Sequence, residues 1–425
     1  MVDVWLPYGK SDVCVRIPAR NLLGSIEPKE QAGASDAKAE IERALKEPLG
    51  SKRLSEIAKA EHKVAIVVDD FTRSTPSHIM LLPVLAELNA AGVKDENVTV
   101  IFGCGTHRAV KPEEAARLLG EEVLKRVKTV SHDCKAQDLV YVGKTKTHGN
   151  KVYLNRVFAE ADVKVLLGDV SFHYYAGYGG GRKSVLPAVS GEETIKHNHA
   201  MLLQAGARTG VLAGNPVHED MTEAARLAKV DFILNVVTNS KGEIVKAFAG
   251  DLEQAFNEAV KLVDEMYRVL VDQRADIVVV SAGGYPADID LFQAYKAVDN
   301  ALDVVKRNGV IILVAECAEG HGNAVFYDWM MRLGDLKKVE REIKHNFVMG
   351  GHKAYYLLKA LQRHPIILVS SLPDYYATNI FKLKTARAVN DALSEALRMA
   401  GSAAKVWVMP HGTFTLPEVK AINNT

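Results

Sequence analysis

The sequence predicts an α/β fold with two α/β domains, largely parallel sheets and an active site in the cleft between the domains. Short apolar runs rich in valine and isoleucine alternate with longer helical stretches, as in strand–helix–strand units. The chain has 425 residues, more than one hydrophobic core usually sustains. A charged helical stretch over about residues 251–273 is followed by a new apolar strand at Ile277, which places the domains at 1–272 and 273–425.

The elements of the first domain follow one another along the chain. Residues 2–7 and 12–17 are extended runs around the turn YGKSD and predict a hairpin. The runs KVAIVVDD (63–70), NVTVIFGCG (97–105) and DVKVLLGDV (162–170) predict three strands. The stretches SHIMLLPVLAELNAAG (77–92) and KPEEAARLLGEEVLKRV (111–127) predict the helices between them.

The second, smaller domain repeats the alternation of strands and helices. Four further strands are predicted by IVVVSAGG, VIILVAEC, PIILVSSLP and KVWVMPHG, and a helix by AYKAVDNALDVVKRNG. In open parallel sheets, ligands bind outside the carboxyl ends of the strands. The residues just after the strands are therefore the candidates for function.

Composition and charge favour a small-molecule partner. Lys plus Arg (53) nearly balance Asp plus Glu (52), which gives no electrostatic reason to expect nucleic acid or an anionic membrane surface. The start has no basic patch followed by an apolar stretch, so no signal peptide is expected, and no apolar run is long enough for a membrane span. The four cysteines form no CxxC pair, which excludes a cysteine-based zinc site and gives no disulfide framework, as expected of a cytoplasmic protein.

Candidate functional residues, most of them polar or titratable, stand at several of these strand ends. They are Asp70, Phe71, Thr72 and Arg73 after the first strand, His107 after the second, His173, Lys183, His197 and His199 after the third, and Gln293 and Lys296 in the second domain. Each taken alone has an ordinary structural explanation: a hydrogen-bonded loop histidine, a cap, a solvated lysine or a helix surface. Together they favour a site, because unrelated causes would have to act at several ends of one sheet.

The glycine-rich loop GYGGGRKSVLP (177–187) is not a P-loop, because Arg182 stands where GxxxxGK[ST] needs glycine. A lysine in such a partly desolvated loop can have a pKa low enough to form a covalent bond. Histidines can exchange protons with a substrate or bind nickel, zinc or copper, and arginine offers a fork for a carboxylate. His197 and His199 are two residues apart, so only one of them need face the site.

Five motifs resemble, in order and interval, those of the lactate racemase family, the nickel-pincer-dependent racemases and epimerases. They are DDFTRSTP (69–76), GCGTHR (103–108), SFHYYAGYGGGRKSVLPAVSG (171–191), HNHAM (197–201) and FQAYK (292–296). The resemblance implies that Lys183 is attached through a thioamide to the nickel-pincer nucleotide (Ni(II)-pyridinium-3,5-bisthiocarboxylic acid mononucleotide). It further implies that His199 is the protein's ligand to nickel and that His107 and His173 are the acid/base pair. It assigns cofactor contacts to Asp70, Phe71, Thr72 and Arg73, and substrate contacts to Arg73, Gln293 and Lys296.

The implied reaction is racemisation or epimerisation of a 2-hydroxy acid by reversible hydride transfer, with cofactor-building proteins as partners. Phe292 stands where lactate racemase has a tyrosine, and His352 or a neighbour takes the place of its pocket tryptophan. Malate, 2-hydroxyglutarate or a sugar acid is therefore an alternative to lactate as substrate.

Three other classes of protein compete with this prediction. A dehydrogenase with a free nicotinamide dinucleotide would need a GxGxxG fingerprint, which SAGGYPADID lacks, and no GxSxG elbow supports a serine hydrolase. A non-catalytic protein that binds the nickel cofactor would need only Lys183 and His199, so the presence of both His107 and His173 favours an enzyme.

Overall fold

The computed structural model describes residues 1–420, which form two compact units. One unit consists of residues 30–265, and the other combines residues 1–29 with the chain from Met266 onward. The second junction lies close to the predicted boundary near residue 272. The first 29 residues, which the sequence placed in the first domain, instead belong with the C-terminal chain.

Packing explains this grouping of the N-terminal residues. The predicted hairpin is present as β1 (Val2–Tyr8) and β2 (Ser11–Ile17), paired antiparallel. Its side chains Leu6, Val15 and Ile17 are fully buried in one core with strands from the C-terminal part of the chain. The next strand, β3 (Leu22–Ser25), pairs in parallel with residues 406–408.

The unit of residues 30–265 contains ten strands and nine helices, the last of which continues to Tyr267. The strands are β4 (Val64–Asp69), β5 (Val98–Gly103), β6 (Lys128–Ser131), β7 (Val140–Lys144), β8 (Lys151–Leu154), β9 (Val163–Asp169), β10 (Phe172–His173), β11 (Gly177–Tyr178), β12 (Phe232–Thr238) and β13 (Ile244–Gly250). The helices are α1 (Ala37–Lys46), α2 (Leu54–Ile57), α3 (Ser77–Ala90), α4 (Pro112–Leu119), α5 (Glu121–Arg126), α6 (Arg156–Glu160), α7 (Glu192–Ala200), α8 (Pro216–Leu227) and α9 (Gln254–Tyr267).

A six-stranded sheet organises this unit, with strand order β13-β12-β9-β4-β5-β6. All neighbours are parallel except β12 and β13, which are antiparallel. The central strands β9, β4 and β5 are nearly all apolar and buried, as expected for strands covered on both faces. Their carboxyl ends lie side by side at one edge, and each leads into one of the segments singled out from the sequence.

Two predicted helices differ from the observed ones. The helix predicted over residues 111–127 is divided into α4 and α5 at Gly120, whose φ of +80° is readily adopted only by glycine. The helical stretch predicted to residue 273 ends at Tyr267, because Arg268–Val271 forms a strand instead. The helix α3, by contrast, is where the sequence predicted it.

The second unit contains the remaining strands and helices of the described chain. The strands are β14 (Arg268–Val271), β15 (Ala275–Ser281), β16 (Val305–Val314), β17 (Ile366–Val369), β18 (Lys384–Thr385), β19 (Val406–Met409) and β20 (Leu416–Val419). The helices are α10 (Leu291–Ala301), α11 (Ala324–Arg332), α12 (Leu336–His345), α13 (Gly351–Leu361) and α14 (Val389–Ala400), with a short π-helix at Tyr376–Ile380. Its six-stranded sheet is wholly parallel, in the order β18-β17-β16-β15-β19-β3.

The two sheets confirm the predicted α/β class. Within residues 1–420, no helix has the length and apolar character needed to cross a membrane.

Candidate functional site

Asp70 and His107 form a tight pair at the ends of neighbouring strands. Asp70 follows β4, and its carboxylate accepts hydrogen bonds from the backbone N–H of Thr72 (3.0 Å) and from the Thr72 hydroxyl (2.6 Å). The other carboxylate oxygen lies 2.6 Å from Nδ1 of His107, in the loop after β5. Burial opposes ionisation of Asp70, but the hydrogen bonds from His107 and Thr72 outweigh it and lower the pKa of the carboxyl.

This pairing fixes which nitrogen of His107 can accept a proton. An ionised carboxylate can only accept a hydrogen bond, so Nδ1 of the ring carries the hydrogen. The lone pair of the neutral ring is then on Nε2, and the ring is about one-third exposed. An acid behind one ring nitrogen and a lone pair on the other is the arrangement of the aspartate–histidine pair in a catalytic triad.

We expect Asp70→Asn to destabilise the protein in a pH-dependent way. The folded-state pKa of Asp70 is lowered, so its contribution is present above the unfolded pKa of about 3.9 and is lost as pH falls through the folded value. The variant should be about 1–2 kcal/mol less stable at pH 7, and this difference should shrink below pH 4. Thermal unfolding of both proteins at pH 7 and pH 3 measures it; an equal difference at both values would contradict the assignment.

The rest of the turn after β4 lies close to His107. The Phe71 ring lies 6.4 Å from the His107 ring, and the Arg108 guanidinium lies 3.8 Å from the Phe71 ring centre. Arg73 donates its backbone N–H to the carbonyl of Asp70 (3.2 Å), while its side chain is exposed. The turn therefore presents an aromatic face and an exposed cation beside the acid–histidine pair.

Arg182 holds the glycine-rich loop together from inside. Its guanidinium is buried and donates to four loop carbonyls, those of Ala176 (2.8 Å), Tyr178 (2.9 Å), Gly180 (3.1 Å) and Gly179 (3.3 Å). It also stacks on Phe256, 4.5 Å from the ring centre, and burial lowers its pKa to about 9. The residue that excludes a P-loop thus has a structural task, which is to fold the loop around its own side chain.

The glycine-rich loop places the side chain of Lys183 next to His173. After Gly180 and Gly181, both with positive φ, the chain enters a 3-10 turn (Gly181–Ser184) that carries Lys183. The lysine Nζ lies 3.4 Å from Nε2 of His173. Burial, followed by the charges of Arg73 and Arg182, lowers the pKa of Lys183 well below its usual value. A larger fraction of this amine is therefore neutral, and nucleophilic, than in an exposed lysine.

His173 has the opposite arrangement of protons from His107. Its Nδ1 accepts the backbone N–H of Ala176 (3.2 Å), so in the neutral ring the hydrogen is on Nε2, facing Lys183. The ring stacks on Tyr174 at 4.9 Å and meets Tyr175 edge-on at 4.5 Å. Burial, then the nearby charge of Lys183, lowers the pKa of His173 well below its usual value.

His199 is turned inward on α7 and held by its neighbour in sequence. The Asn198 amide N–H₂ donates to Asp220 (2.9 Å) and to the carbonyl of Val217 (3.1 Å), so its oxygen must accept from Nδ1 of His199 (3.1 Å). This tautomer places the ring's lone pair on Nε2. Burial, followed by the charge of Lys183, lowers the pKa of His199 to about 3, which keeps the ring neutral.

The structure also shows which of the two histidines of α7 is buried, a question that the sequence left open. On α7, residues two apart point in directions about 200° apart. His197 is exposed and lies 3.1 Å from the carbonyl of His148, whereas His199 is buried.

Gln293 and Lys296 lie on α10 in the other unit, after β15. The helix begins at Asp290, whose carboxylate accepts the backbone N–H of Gln293 (2.7 Å). Behind it, Lys353 of α13 is buried with its Nζ 5.2 Å from the Phe292 ring and 5.1 Å from the Tyr295 ring. Burial, followed by the charge of Lys296, lowers the pKa of Lys353 to about 7.

His352, a candidate for the place of the pocket tryptophan, is fully buried on α13. Its Nδ1 accepts the backbone N–H of Gly350 (3.2 Å), and its ring lies 6.0 Å from that of Phe292. It therefore packs directly behind Phe292.

Within residues 30–265 the structure thus brings together the strand-end residues that the sequence selected. It also adds residues that sequence reasoning missed, namely Arg182 as the loop clamp and Asn198 as the partner of His199. Asn198 sits between the two histidines of HNHAM, and its amide was the available signal. No local signal distinguished Arg182 from a surface arginine, because its partners are carbonyls, which every residue has.

The chain resembles known proteins over nearly its whole length. Residues 8–210 match the lactate racemase N-terminal domain, and residues 270–416 match the lactate racemase C-terminal domain. Lactate racemase of Thermoanaerobacterium thermosaccharolyticum is 33% identical over 99% of this chain and 100% of its own length. Lactate racemase of Lactiplantibacillus plantarum is 33% identical over 97% of this chain and 99% of its own.

Solved structures agree with these sequence matches. The lactate racemase apoprotein from T. thermosaccharolyticum superposes with a TM-score of 0.90, covering 99% of this chain and 100% of that one. A protein from Thermotoga maritima shares the fold with a TM-score of 0.66 at 20% identity, covering 92% of this chain and 100% of that one.

The fold, the histidine–lysine site and these matches define an enzyme, an isomerase of the racemase class. The chain belongs to the lactate racemase family.

Proposed function

We propose that this enzyme racemises or epimerises a 2-hydroxy acid, lactate or a related compound, using a nickel-pincer nucleotide tethered at Lys183. The observation that carries the proposal is the placement of the Lys183 amine, with its lowered pKa, 3.4 Å from the His173 ring. A neutral buried amine is the form that can join a cofactor covalently. The names of two full-length relatives support lactate as the first substrate to test.

The residues present fit such a cofactor. Among residues 1–420, no group of three or more His, Cys, Asp or Glu side chains is arranged to hold a metal. A metal at His199 would therefore take its other ligands from a bound group, as the two sulfur-containing arms of the pincer would provide. The tautomer fixed by Asn198 leaves the His199 lone pair on Nε2, the form that a metal requires.

The cofactor, when bound, supplies a reversible acceptor for the C2 hydride of the substrate. The protein's part is to move the hydroxyl proton. His107 takes that proton at Nε2, with Asp70 stabilising the ring as it becomes charged. We assign the opposite enantiomer to His173, which takes a proton at Nε2 once the hydrogen of that nitrogen has moved to Nδ1. One ring that accepts the proton and another that returns one are what a reversible inversion requires.

Positively charged side chains would stabilise the negative charges of the substrate. We assign cofactor contacts to the turn Asp70–Phe71–Thr72–Arg73 and substrate contacts to Arg73, Gln293 and Lys296, whose groups can bind a carboxylate or stabilise a developing alkoxide. Phe292 offers no hydroxyl for such a contact, and its ring faces the buried Lys353. Malate, 2-hydroxyglutarate and sugar acids are therefore tested beside lactate.

Lys183→Ala is expected to abolish both the tether and racemisation. The protein is produced together with the cofactor-building enzymes and examined by intact-mass spectrometry, nickel analysis and a chiral assay. Wild type should show one adduct and about one equivalent of nickel, both lost in the variant.

Lys196→Ala, at a half-exposed lysine paired with Glu192, is the matched control and should keep adduct and activity. Wild type without adduct or nickel would overturn the proposal. Adduct and nickel without turnover on any of the four substrate classes would favour a non-catalytic cofactor-binding protein.

A further inference from the structure

Two carboxyl groups meet at the ends of adjacent strands, next to the glycine-rich loop. Asp69 closes β4 and Asp169 closes β9. The hydroxyl oxygen of the buried Thr75 lies 2.6 Å from one carboxylate oxygen of Asp69 and 2.9 Å from one of Asp169. Thr75 belongs to the turn that leads from β4 into α3, so the contact joins three segments of the site.

The hydrogen bonds of the Thr75 hydroxyl require that one of the two carboxyl groups carries a proton. Two short O···O contacts around one hydroxyl oxygen need two hydrogens, and the Thr75 hydroxyl supplies one. The second must be carried by a carboxyl group. Consistently, burial, followed by the charge of Asp169, raises the pKa of Asp69 to about 6. Like charges held this close cannot both ionise freely.

The pair lies beside the 3-10 turn that carries Lys183. The Cα of Gly168 faces Asp69 and Ser184, since a Cβ there would be 3.6 Å from both the Asp69 carboxylate and the Ser184 hydroxyl. Ser184 comes directly after Lys183 in the 3-10 turn. On the same side, Asn235 of β12 accepts the backbone N–H of Gly181 (2.9 Å), which fixes the start of that turn.

The charges acting on Lys183 have opposite signs. Arg73 and Arg182 lower its pKa, as burial does, and Asp69 raises it. Neutral His173 and His199 add no charge of their own. Asp69 in turn is acted on by Asp169 and Asp70, which raise its pKa, and by Arg73, which lowers it. The state of Asp69 therefore decides whether Lys183 has an anion beside it.

We propose that Asp69 and Asp169, joined through Thr75, are a positioning pair that sets, through the proton they share, the fraction of Lys183 present as free amine. With the proton bound, Lys183 has no anion beside it and is a nucleophile. With the proton lost, Asp69 stabilises the ammonium form. This role rests on the proposed tether at Lys183, because a free amine there is useful only if something is attached to it.

The test measures the amine itself, in full-length protein made without the cofactor-building enzymes. Limiting acetic anhydride acetylates neutral amines, forming an amide and releasing acetate and a proton. The rate at Lys183 is read from peptide mass spectrometry at pH 6 and pH 8, against half-exposed Lys196 in the same digest. Wild type is compared with Asp69→Asn and Asp169→Asn, which nearly preserve shape.

The two substitutions should act in opposite directions at pH 6. Asp169→Asn removes the like charge, so Asp69 ionises at lower pH and Lys183 acetylation should fall severalfold. Asp69→Asn removes the anion altogether, so acetylation should rise about twofold at pH 6, where about half of wild type already lacks it, and about tenfold at pH 8, the effect of one pKa unit. At pH 8 the Asp169→Asn protein should match wild type, because Asp69 is ionised in both, while Asp69→Asn should stay faster.

Equal rates in all three proteins, or shifts in the same direction, would overturn the inference. Thermal midpoints of the three apoproteins identify a misfolded variant. If one of the two substitutions misfolds, Thr75→Val, which removes the shared hydroxyl but no charge, is measured in its place. For Thr75→Val the proton has one partner fewer, and a shift of the pH dependence is expected; an unchanged profile would overturn the inference. A missing tether in the loaded enzyme would refute the proposed function and leave these apoprotein rates unaffected.

Discussion

Replacing His107 or His173 by alanine is expected to lower kcat for racemisation by about 10²- to 10⁴-fold in both directions. In the proposed mechanism, each enantiomer needs one ring to remove its hydroxyl proton and the other ring to protonate the product. Loss of either ring therefore interrupts both directions equally. A chiral assay started from each enantiomer of the substrate measures this effect in cofactor-loaded protein.

The half-reactions should distinguish the two variants. With one ring left, a single enantiomer can still be deprotonated, so acid-quenched single turnovers should yield 2-keto acid from one enantiomer in His107→Ala and from the other in His173→Ala. His197→Ala, at the exposed histidine of α7, is the control and should behave as wild type. Keto acid from the same enantiomer in both variants would refute the assignment of one ring to each face.

Arg182→Met is expected to have the largest effect on stability. The substitution keeps an apolar stem of similar length but leaves four loop carbonyls, two of them fully buried, without the donors that Arg182 supplies. The unit of residues 30–265 should lose about 3 kcal/mol or more. The thermal midpoint should fall by on the order of 6–12 °C.

The substitution should also disturb the position of Lys183, which lies in the same loop. In cofactor-loaded preparations, the adduct on Arg182→Met should fall well below one equivalent. Arg182→Lys, which has three donors but no planar fork, should lie between the two. Arg108→Met, at an exposed arginine paired with Glu114, is the control for loss of a positive charge. A wild-type midpoint and full adduct in Arg182→Met would show that the loop folds without this clamp.

Local patterns in the sequence were sufficient to predict the central strands and to select the candidate site residues that follow them. The runs ending at Asp69, Gly103 and Asp169 are apolar and short, and each is a central strand of one parallel sheet. Parallel strands end at the same edge, so residues that come directly after different strands also lie close together in space. That rule was enough to select Asp70, His107 and His173.

Features that depend on distant partners were not accessible in this way. The strand beginning at Leu22 pairs with Val406, a separation along the chain that no periodicity can reveal. Tyr267 ends a helix whose apolar pattern continues, because the next residues find a strand partner at Leu416. The division at Gly120 is different, since a glycine in a helical pattern is a recognised signal for a break, which the prediction of one helix over 111–127 overlooked.

The contact between Lys183 and His173 has a consequence for how the enzyme matures. Burial is the main cause of the lowered pKa of His173, and the charge that the neighbouring amine carries when it is protonated adds to it. Once the lysine nitrogen belongs to an amide-type bond, it can no longer carry an ammonium charge, and the proton affinity of the ring rises. Under the proposed tether, attachment at Lys183 and the basicity of the His173 ring would therefore be coupled, and a chain without the cofactor would hold the less basic ring.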